Sequence, residues 1–210
     1  HELRTPIAVI QGYAALLDRW GKDDPEARQE AIDAIRQEAD SMKELVEQLL
    51  FLARGDNDSM HIEMETFDLT EVAAEVLKET GMIDQTHTFS ARWEGAVPVC
   101  ADVGLTKQAL RILVDNSIKY TPAGGHITLS AALRDGMARL SVQDEGQGID
   151  AGSLPHVFDR FYRTDGARER QKTGGFGLGL AIAKSLVEAM GGKISAASSE
   201  RDGTTFTVTL

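Results

Sequence analysis

The sequence predicts an α+β protein: a two-helix hairpin that forms a dimeric four-helix bundle, followed by an α/β sandwich with a mixed sheet and helices on one face. Within residues 1–54, apolar residues recur in alternating steps of three and four, which is typical of packed helices. A polar, helix-breaking stretch follows at residues 55–60 and is typical of a linker. In residues 61–210, runs that favour strands come in pairs separated by single helices, which indicates a mixed sheet.

The composition is that of a globular protein: with 210 residues, 42% of them hydrophobic, the chain is long enough for one or two domains with buried cores. No apolar run approaches the ~20 residues that a membrane-spanning helix needs. The net charge of −11 argues against a general nucleic-acid-binding protein, whose contact surface is basic. Because the chain begins at His1 rather than methionine and shows no signal peptide, we expect it to be part of a longer protein.

Two apolar seams define the predicted hairpin. The first follows Leu3, Ile7, Ile10, Ala14 and Leu17, and the second follows Ile32, Ile35, Ala39, Met42, Val46, Leu49 and Ala53. Asp24 and Pro25 fit the N-cap and first residue of the second helix, so the connection is short and the helices are antiparallel neighbours. One hairpin cannot cover both seams, and we expect the flanking Leu45 and Leu52 to stay exposed within it. Pairing with a second hairpin would bury them, which predicts a homodimer; the alternative is that the hairpin packs on the rest of its own chain.

Seven strands and three helices are predicted in the second part of the chain. Alternating apolar and β-branched residues predict strands at residues 61–69, 87–93, 97–101, 126–133, 137–143, 193–197 and 204–210, and helical periods occur at about 69–80, 103–119 and 177–190. The dipeptide Asp135-Gly136 between two strand runs predicts a β-hairpin. Residues 150–176 have little periodicity, and because a loop of this length in a compact domain is usually functional, we expect a lid there.

Two glycine-rich segments lie at the ends of predicted elements. Residues 144–149, Asp-Glu-Gly-Gln-Gly-Ile, end a strand, and residues 174–182, Gly-Gly-Phe-Gly-Leu-Gly-Leu-Ala-Ile, open a helix. Glycine permits positive φ and close backbone approach, and the free N–H groups at the start of a helix favour phosphate. Neither segment has the spacing of a P-loop or of the dinucleotide-binding fingerprint.

Asn116, Lys119 and Tyr120 lie within about one helical turn of each other at the end of the predicted helix 103–119. An amide oxygen suits a cation, an ammonium suits phosphate and an aromatic face suits a base, so together they favour a nucleotide site. Mg²⁺ in such sites is held by few protein oxygens, with phosphates and water completing its shell.

The order of these motifs resembles the catalytic core of the sensor histidine kinases of two-component systems. Residues 1–6, His-Glu-Leu-Arg-Thr-Pro, resemble the H-box of that family, and the segment around Asn116 resembles its N-box. Residues 144–148 resemble the G1 box, 158–163 the F-box, 175–180 the G2 box and 203–206 the closing strand motif. The resemblance covers nearly the whole chain. It implies a dimerisation and phosphoacceptor hairpin over residues 1–54 and a Bergerat-type ATP-binding domain over residues 61–210, shared with gyrase, Hsp90 and MutL, with an ATP lid at about 150–176.

By this resemblance His1 is the phosphoacceptor, and Glu2 takes the proton of its imidazole or stabilises the charge left there. Thr5, one helical turn further on, resembles the residue that orients water for dephosphorylation. The implied activity is ATP-dependent autophosphorylation on His1, phosphoryl transfer to an aspartate of a response regulator, and phosphatase activity toward that regulator. The implied partners are the receiver domain of the regulator and a second copy of the chain, bound through the hairpin. The family also implies a membrane anchor upstream, with this portion in the cytoplasm.

The resemblance assigns ATP and Mg²⁺ to a set of nucleotide-binding residues. They are Asn116, Lys119, Tyr120, Asp144, Gly146, Gly148, Arg163, Gly175, Gly177, Leu178 and Gly179. Asn116 is the implied Mg²⁺ ligand, and Asp144 resembles the acid that accepts a hydrogen bond from the adenine amino group. The glycines of the second segment are expected to hinge the lid and to offer N–H groups to the phosphates.

One departure from the family pattern bears on the alternatives. Ile112 stands four residues before Asn116, where the related ATPases place the glutamate that activates water. Because isoleucine cannot act as a base, this disfavours a nucleotide-switched ATPase of the gyrase, Hsp90 or MutL type. The other alternative is a degenerate module that binds nucleotide without catalysis, and it is disfavoured because every key position is filled.

Overall fold

The computed structural model describes residues 3–20, 24–56, 61–164, 175–199 and 202–210, and the chain divides into two compact units, residues 1–53 and 54–210. The first unit is helical, and the second contains the strands. A helical hairpin followed by a mixed α/β sheet confirms the predicted fold class. Within the described part of the chain, no helix combines the length and the apolar character that crossing a bilayer requires.

The hairpin consists of helix α1, Arg4–Trp20, and helix α2, Pro25–Asp56. Asp24 caps α2, because its Oδ1 accepts hydrogen bonds at 3.0 Å from the backbone N–H groups of Glu26 and Ala27, as predicted. Helix α2 continues through the first two residues of the predicted linker, and residues 57–60 lie outside the described residues.

The side of α2 that a single chain buries differs from the predicted one. Leu45 and Leu52, which we expected to stay exposed, are 0% and 2% exposed. Ile32 and Val46, which belong to the predicted seam, are 38% and 44% exposed. The expectation was wrong because α2 carries two apolar stripes that are one residue, or about 100°, apart. Residue spacing shows both stripes but not which of them faces inward.

The described part of the second unit contains three α-helices and seven strands. The helices are α3 (Leu69–Ile83), α4 (Val103–Tyr120) and α5 (Gly179–Ala189). The strands are β1 (Glu65–Asp68), β2 (Thr88–Trp93), β3 (Pro98–Ala101), β4 (His126–Arg134), β5 (Met137–Asp144), β6 (Lys193–Ser199) and β7 (Gly203–Thr209). Each predicted element is present, although β1 covers only the last part of the predicted run 61–69.

Strands β2-β4-β5-β7-β6 form the main sheet in that order. The β2–β4 pair is parallel and the other pairs are antiparallel, while β1 and β3 form a separate antiparallel ribbon. Alternate residues of the central strands are buried, among them Ile127, Leu129, Leu140, Val142 and Phe206. The helices contribute Leu110, Leu113, Val114 and Leu186. The core therefore lies between one face of the sheet and the helices.

A two-residue turn joins β4 to β5. Asp135 has φ 52° and Gly136 has φ 78°, so both central residues take the positive values that a type I′ turn needs. Arg134 and Met137 are register partners on either side. The hairpin predicted from Asp135-Gly136 is confirmed.

His87 joins the end of α3 to the end of α4, and its side chain is 6% exposed. Its Nδ1 lies 2.7 Å from Asp84 Oδ2, and its Nε2 lies 3.1 Å from the carbonyl oxygen of Thr121. A carboxylate and a carbonyl only accept hydrogen bonds, so both bonds form only when both ring nitrogens carry protons. Burial would lower the pKa of His87, but the bonds to Asp84 and Thr121 outweigh it and raise the pKa above its usual value.

We predict that His87→Gln lowers the free energy of unfolding by roughly 1–2 kcal/mol at pH 6, because a charge-assisted hydrogen bond is lost. A raised folded-state pKa gives stability that is complete below the unfolded-state value near 6.5 and disappears as the pH rises through the folded-state value. The difference between wild type and variant should therefore shrink from pH 6 to pH 9 in urea unfolding followed by circular dichroism.

His61→Gln is the matched control, since the His61 side chain is 87% exposed. It should match the wild type within about 0.5 kcal/mol over the same range. A difference in the free energy of unfolding between wild type and His87→Gln that stays constant from pH 6 to pH 9 would contradict the role of a protonated His87.

Candidate functional site

Asp144, the last residue of β5, is a buried acid that is 3% exposed. Its Oδ1 accepts hydrogen bonds from the backbone N–H groups of Gly146, at 2.9 Å, and Thr204, at 3.2 Å. Its Oδ2 accepts one from the hydroxyl of Ser117, at 3.1 Å. Burial raises the pKa of Asp144, and these three bonds oppose that effect. One carboxylate thus holds together α4, the turn after β5 and the start of β7.

The backbone is packed tightly around Asp144, and two glycines make this possible. A Cβ on Gly203 would lie 2.0 Å from the carbonyl oxygen of Asp144, and Gly203 has φ +73°. A Cβ on Gly146 would lie 2.9 Å from the carbonyl oxygen of Tyr120. Gly148 follows in the same turn. Three chain segments therefore meet at van der Waals distance, leaving no space for side chains at these two positions.

A second part of the site contains two cations. The Nζ of Lys119, in the last turn of α4, lies 2.9 Å from the place that a Cβ on Gly175 would take. Burial lowers the pKa of Lys119, and the neighbouring charge of Arg163 lowers it further. The Lys119 ammonium also lies 5.4 Å from the centre of the Tyr120 ring. A bound anion would relieve the repulsion between the two cations.

The second glycine segment is hydrogen-bonded to the described first part of the predicted lid, residues 150–164. The Phe161 N–H donates to the carbonyl oxygen of Gly177 at 2.9 Å. Leu178 is fully buried, and α5 begins at Gly179. A Cβ on Gly179 would lie 3.5 Å from Ile112 Cγ2, so the start of α5 also approaches α4.

The structure brings together most of the residues that the sequence singled out, in two clusters. Asp144, Gly146 and the Tyr120 backbone form one cluster, and Lys119, Arg163 and Gly175 form the other, with Gly177, Leu178 and Gly179 leading into α5. Asn116 is half-buried on α4 beside Ser117. Because α4 supplies Ser117, Lys119 and Tyr120, its last turn joins the two clusters.

The hairpin residues of the predicted site are described only in part. Thr5 lies in the first turn of α1 and is exposed. His1 and Glu2 lie outside the described residues. Of the predicted lid, residues 150–164 and 175–176 are described, with a short 3₁₀-helix at Leu154–His156.

Sequence reasoning missed Ser117 and Thr204, which hold the Asp144 carboxylate. Ser117 is fully buried on the same stripe of α4 as Leu110, Leu113 and Val114. The sequence could have indicated Ser117, because a hydroxyl at an apolar position of a helix is expected to be buried. A buried hydroxyl needs a hydrogen-bond partner. Thr204 donates through its backbone N–H, a group that every residue except proline has, so the sequence could not indicate this contact.

The site contains carboxylate, amide and ammonium groups rather than a preformed metal cage. Among the described residues, no three His, Cys, Asp or Glu side chains are arranged to hold a metal ion. The Asn116 side-chain oxygen fits the small number of protein ligands that Mg²⁺ takes when phosphates supply the rest.

Two family models match the chain. Residues 101–210 match the model described as "Histidine kinase-, DNA gyrase B-, and HSP90-like ATPase", which is more than half of the chain. Residues 1–58 match the "His Kinase A (phospho-acceptor) domain". The phospho-acceptor match ends at residue 58, near the boundary between the two compact units after residue 53.

Curated relatives of the chain are named as histidine kinases. Sensor histidine kinase YkoH of Bacillus subtilis is 42% identical over 208 residues, which are 99% of this chain and 45% of that protein. The chain spans less than half the length of the first curated relatives that it matches. The structure of histidine kinase ThkA in complex with response regulator protein TrrA is similar with a TM-score of 0.77 and 27% identity, over 100% of this chain and 58% of that one. Full-length ShkA in complex with AMPPNP is similar with a TM-score of 0.74 and 26% identity, over 100% and 43%.

Gly203→Ala should destabilise the second unit by more than ~3 kcal/mol, because the new Cβ would overlap the Asp144 carbonyl oxygen. Gly191→Ala is the matched control. Gly191 has φ +78° and nothing lies within 4 Å of its added Cβ, so only the backbone strain of about 1 kcal/mol applies. Thermal unfolding of both variants measures the difference, and equal destabilisation would contradict the close packing.

Proposed function

The chain belongs to the sensor histidine kinases of two-component systems, and on that premise we propose that it is an ATP-dependent protein-histidine kinase. In this proposal it phosphorylates itself on His1 and passes the phosphoryl group to an aspartate of a response regulator. The observation that carries the proposal is the buried Asp144 carboxylate, which accepts hydrogen bonds from α4, from the first glycine segment and from the start of β7. It lies within the residues that match the ATPase family model.

We assign a separate task to each part of the chain. Residues 1–54 dimerise and carry the phosphoacceptor, residues 55–60 are a linker, and residues 61–210 bind ATP beneath a lid at about 150–176. The matches to two family models and the two compact units support this division. The hairpin thus supplies the nucleophile, and the sheet domain supplies the phosphoryl donor.

Asp144 suits an adenine base. With two donors on Oδ1 and one on Oδ2, the carboxylate keeps a free acceptor site on Oδ2. In our proposal that site accepts a hydrogen bond from the exocyclic amino group of adenine. Gly146 and Gly148 let the base approach the backbone, and Tyr120 lies against the base or the ribose.

The cationic cluster suits the phosphates. Lys119 provides positive charge beside Gly175, and Arg163 adds a second charge near Lys119. In our proposal Arg163 contacts the γ-phosphate. The N–H groups of Gly175, Gly177, Leu178 and Gly179 precede or begin α5, whose N-terminal end favours an anion. The relative ShkA was solved in complex with AMPPNP, which supports an adenine nucleotide as ligand.

Mg²⁺ fits this site through Asn116, whose amide oxygen lies on the helix that also carries Lys119. When bound, the ion would neutralise phosphate charge during transfer. The protein's own part in the reaction is to hold the base at Asp144, to orient the phosphates with Lys119 and the glycine N–H groups, and to present His1.

In the proposed phosphoryl transfer, His1 is the nucleophile. The neutral His1 imidazole forms a P–N bond to the γ-phosphorus while the bond to the bridging oxygen breaks, and ADP leaves with that electron pair. Glu2 takes the proton from the other ring nitrogen or stabilises the charge there. A carboxylate oxygen of the regulator's aspartate then displaces the histidine from phosphorus. The ring leaves as a neutral imidazole, with its proton returned by Glu2 or retained on the other nitrogen, and His1 is regenerated.

Phosphatase activity toward the regulator is the second activity we propose, with Thr5 orienting water. Thr5 is exposed in the first turn of α1, where a docked partner can reach its hydroxyl.

Thr5→Ala should slow dephosphorylation of the regulator and leave autophosphorylation within about twofold. Equal loss of both activities would contradict this role.

The partners we propose are the receiver domain of a response regulator and a second copy of the chain. A relative, ThkA, was solved in complex with response regulator protein TrrA. Leu3, Ile7, Ile32 and Val46 are 38–44% exposed on the hairpin. We propose that they form an apolar surface that a second hairpin covers. We further propose that the chain is the cytoplasmic portion of a membrane-anchored protein, as in the family.

An ATPase of the gyrase or Hsp90 type is the competing activity. Ile112, at the position where those enzymes carry the base, presents a methyl group 3.5 Å from the place of a Cβ on Gly179. An apolar side chain there cannot activate water, which favours transfer to His1. A degenerate module that only binds nucleotide is disfavoured because Asp144, Lys119 and the glycines are all present.

We predict that His1→Gln abolishes labelling by γ-labelled ATP, while wild type acquires an acid-labile, base-stable label. The glutamine side chain has no nitrogen nucleophilic enough to form the P–N bond. His61→Gln, on the exposed stretch before β1, is the control and should retain full labelling.

Each alternative gives a different result in the same assay. Phosphate release without labelled protein would indicate the ATPase, and nucleotide binding without turnover would indicate the degenerate module. Label retained in His1→Gln would contradict the assignment of the phosphoacceptor.

Val46→Glu should convert the dimer to a monomer at micromolar concentration, because it places a charge in the apolar surface of the hairpin. Gln37→Glu is the control, since Gln37 is exposed and points to the opposite side of α2, nine residues or about 180° away. Light scattering after gel filtration gives the mass of each variant. An unchanged mass for Val46→Glu would exclude this surface as the interface.

A further inference from the structure

Ser198, near the end of β6, lies at the junction of three chain segments without belonging to either cluster of the site. Its Oγ lies 2.8 Å from the backbone nitrogen of Ile149 and 2.8 Å from the carbonyl oxygen of Gly203. It also lies 3.0 Å from the hydroxyl oxygen of Thr204, its register partner on β7. One hydroxyl therefore has three polar partners.

The chemistry of these partners fixes the direction of every bond. Ile149 can only donate its N–H, and the Gly203 carbonyl can only accept, so Ser198 donates its single proton to Gly203. Thr204 must then donate its own hydroxyl proton to Ser198. The Ser198 oxygen thus makes one donated and two accepted hydrogen bonds, which fills its capacity.

The two segments joined by Ser198 are those on either side of Asp144 that hold its carboxylate. Ile149 ends the turn that contains Gly146, whose N–H donates to Asp144 Oδ1. Thr204 is the second residue of β7, and its N–H donates to the same oxygen. Gly203, the first residue of β7, packs against the Asp144 carbonyl and the Gly146 nitrogen. A displacement of either segment would therefore move a donor away from Asp144.

We infer that Ser198 is a positioning residue of the nucleotide site, which holds both N–H donors of Asp144 Oδ1 in place and so orients the carboxylate toward the base. This inference rests on the proposed function, because it takes Asp144 as the contact to adenine. Ser198 acts through Ile149, Gly203 and Thr204 rather than on the ligand. Its effect is accordingly on base selection and not on the phosphates.

The experiment compares binding of ADP and GDP to the full chain by calorimetry. Ser198→Ala should raise the Kd of ADP by about tenfold and leave that of GDP within about twofold, since the loss is confined to the adenine contact. Ser198→Thr keeps the hydroxyl and should restore the preference for ADP. Ser141→Ala is the matched control, because Ser141 on β5 makes a similar cross-strand contact, 3.0 Å to Thr207, and should bind both as wild type does.

The outcomes separate this inference from the proposed function. Absence of ADP binding to the folded wild type would overturn both. Normal binding by wild type with an unchanged preference in Ser198→Ala, whatever its thermal stability, would overturn the positioning role alone. Where the alanine variant does not fold, Ser198→Cys, with a weak sulfur acceptor, replaces it: reduced preference supports the role, and a wild-type preference overturns it.

Discussion

A carboxylate removed from water is costly unless donors surround it, and the second unit is arranged around this requirement at Asp144. Ser117, Gly146 and Thr204 provide the donors, and they come from a helix, a turn and a strand that are distant in sequence. Satisfying the carboxylate therefore fixes these segments relative to one another. The close packing at Gly203 follows from the same arrangement, since the chain must approach the Asp144 backbone directly.

The same arrangement sets what the site can bind. The carboxylate keeps acceptor capacity on one oxygen, which suits a donor such as an amino group. The last turn of α4 also carries Lys119, whose charge lies near that of Arg163. A ligand with an amino-bearing base and a phosphate chain matches both features. Helix α4 carries residues of both clusters. The hydrogen bond between His87 and the Thr121 carbonyl oxygen holds the C-terminal end of this helix.

Much of this was predictable from local sequence. Alternation of apolar and polar residues predicted the strands, because one face of the sheet is buried. Asp135-Gly136 predicted the turn, because both central residues of a type I′ turn need positive φ. The glycine segments and Asn116, Lys119 and Tyr120 were found because their spacing places them on one helix end or turn. What local pattern did not reveal depends on contacts between distant segments. Ser117 and Ser198 are ordinary serines until the fold brings them to Asp144 or its neighbours. Leu45 and Ile32 both look like core residues, and only packing decided that Leu45 is buried and Ile32 exposed.

The most direct measurement of the central claim is a calorimetric titration of the folded chain with ATP in the presence of Mg²⁺. We expect one nucleotide bound per chain, with guanosine triphosphate binding much more weakly because it offers a carbonyl where adenine offers an amino group. A chain that is folded by circular dichroism yet gives no binding heat with ATP and no displacement of a fluorescent ATP analogue would contradict the account.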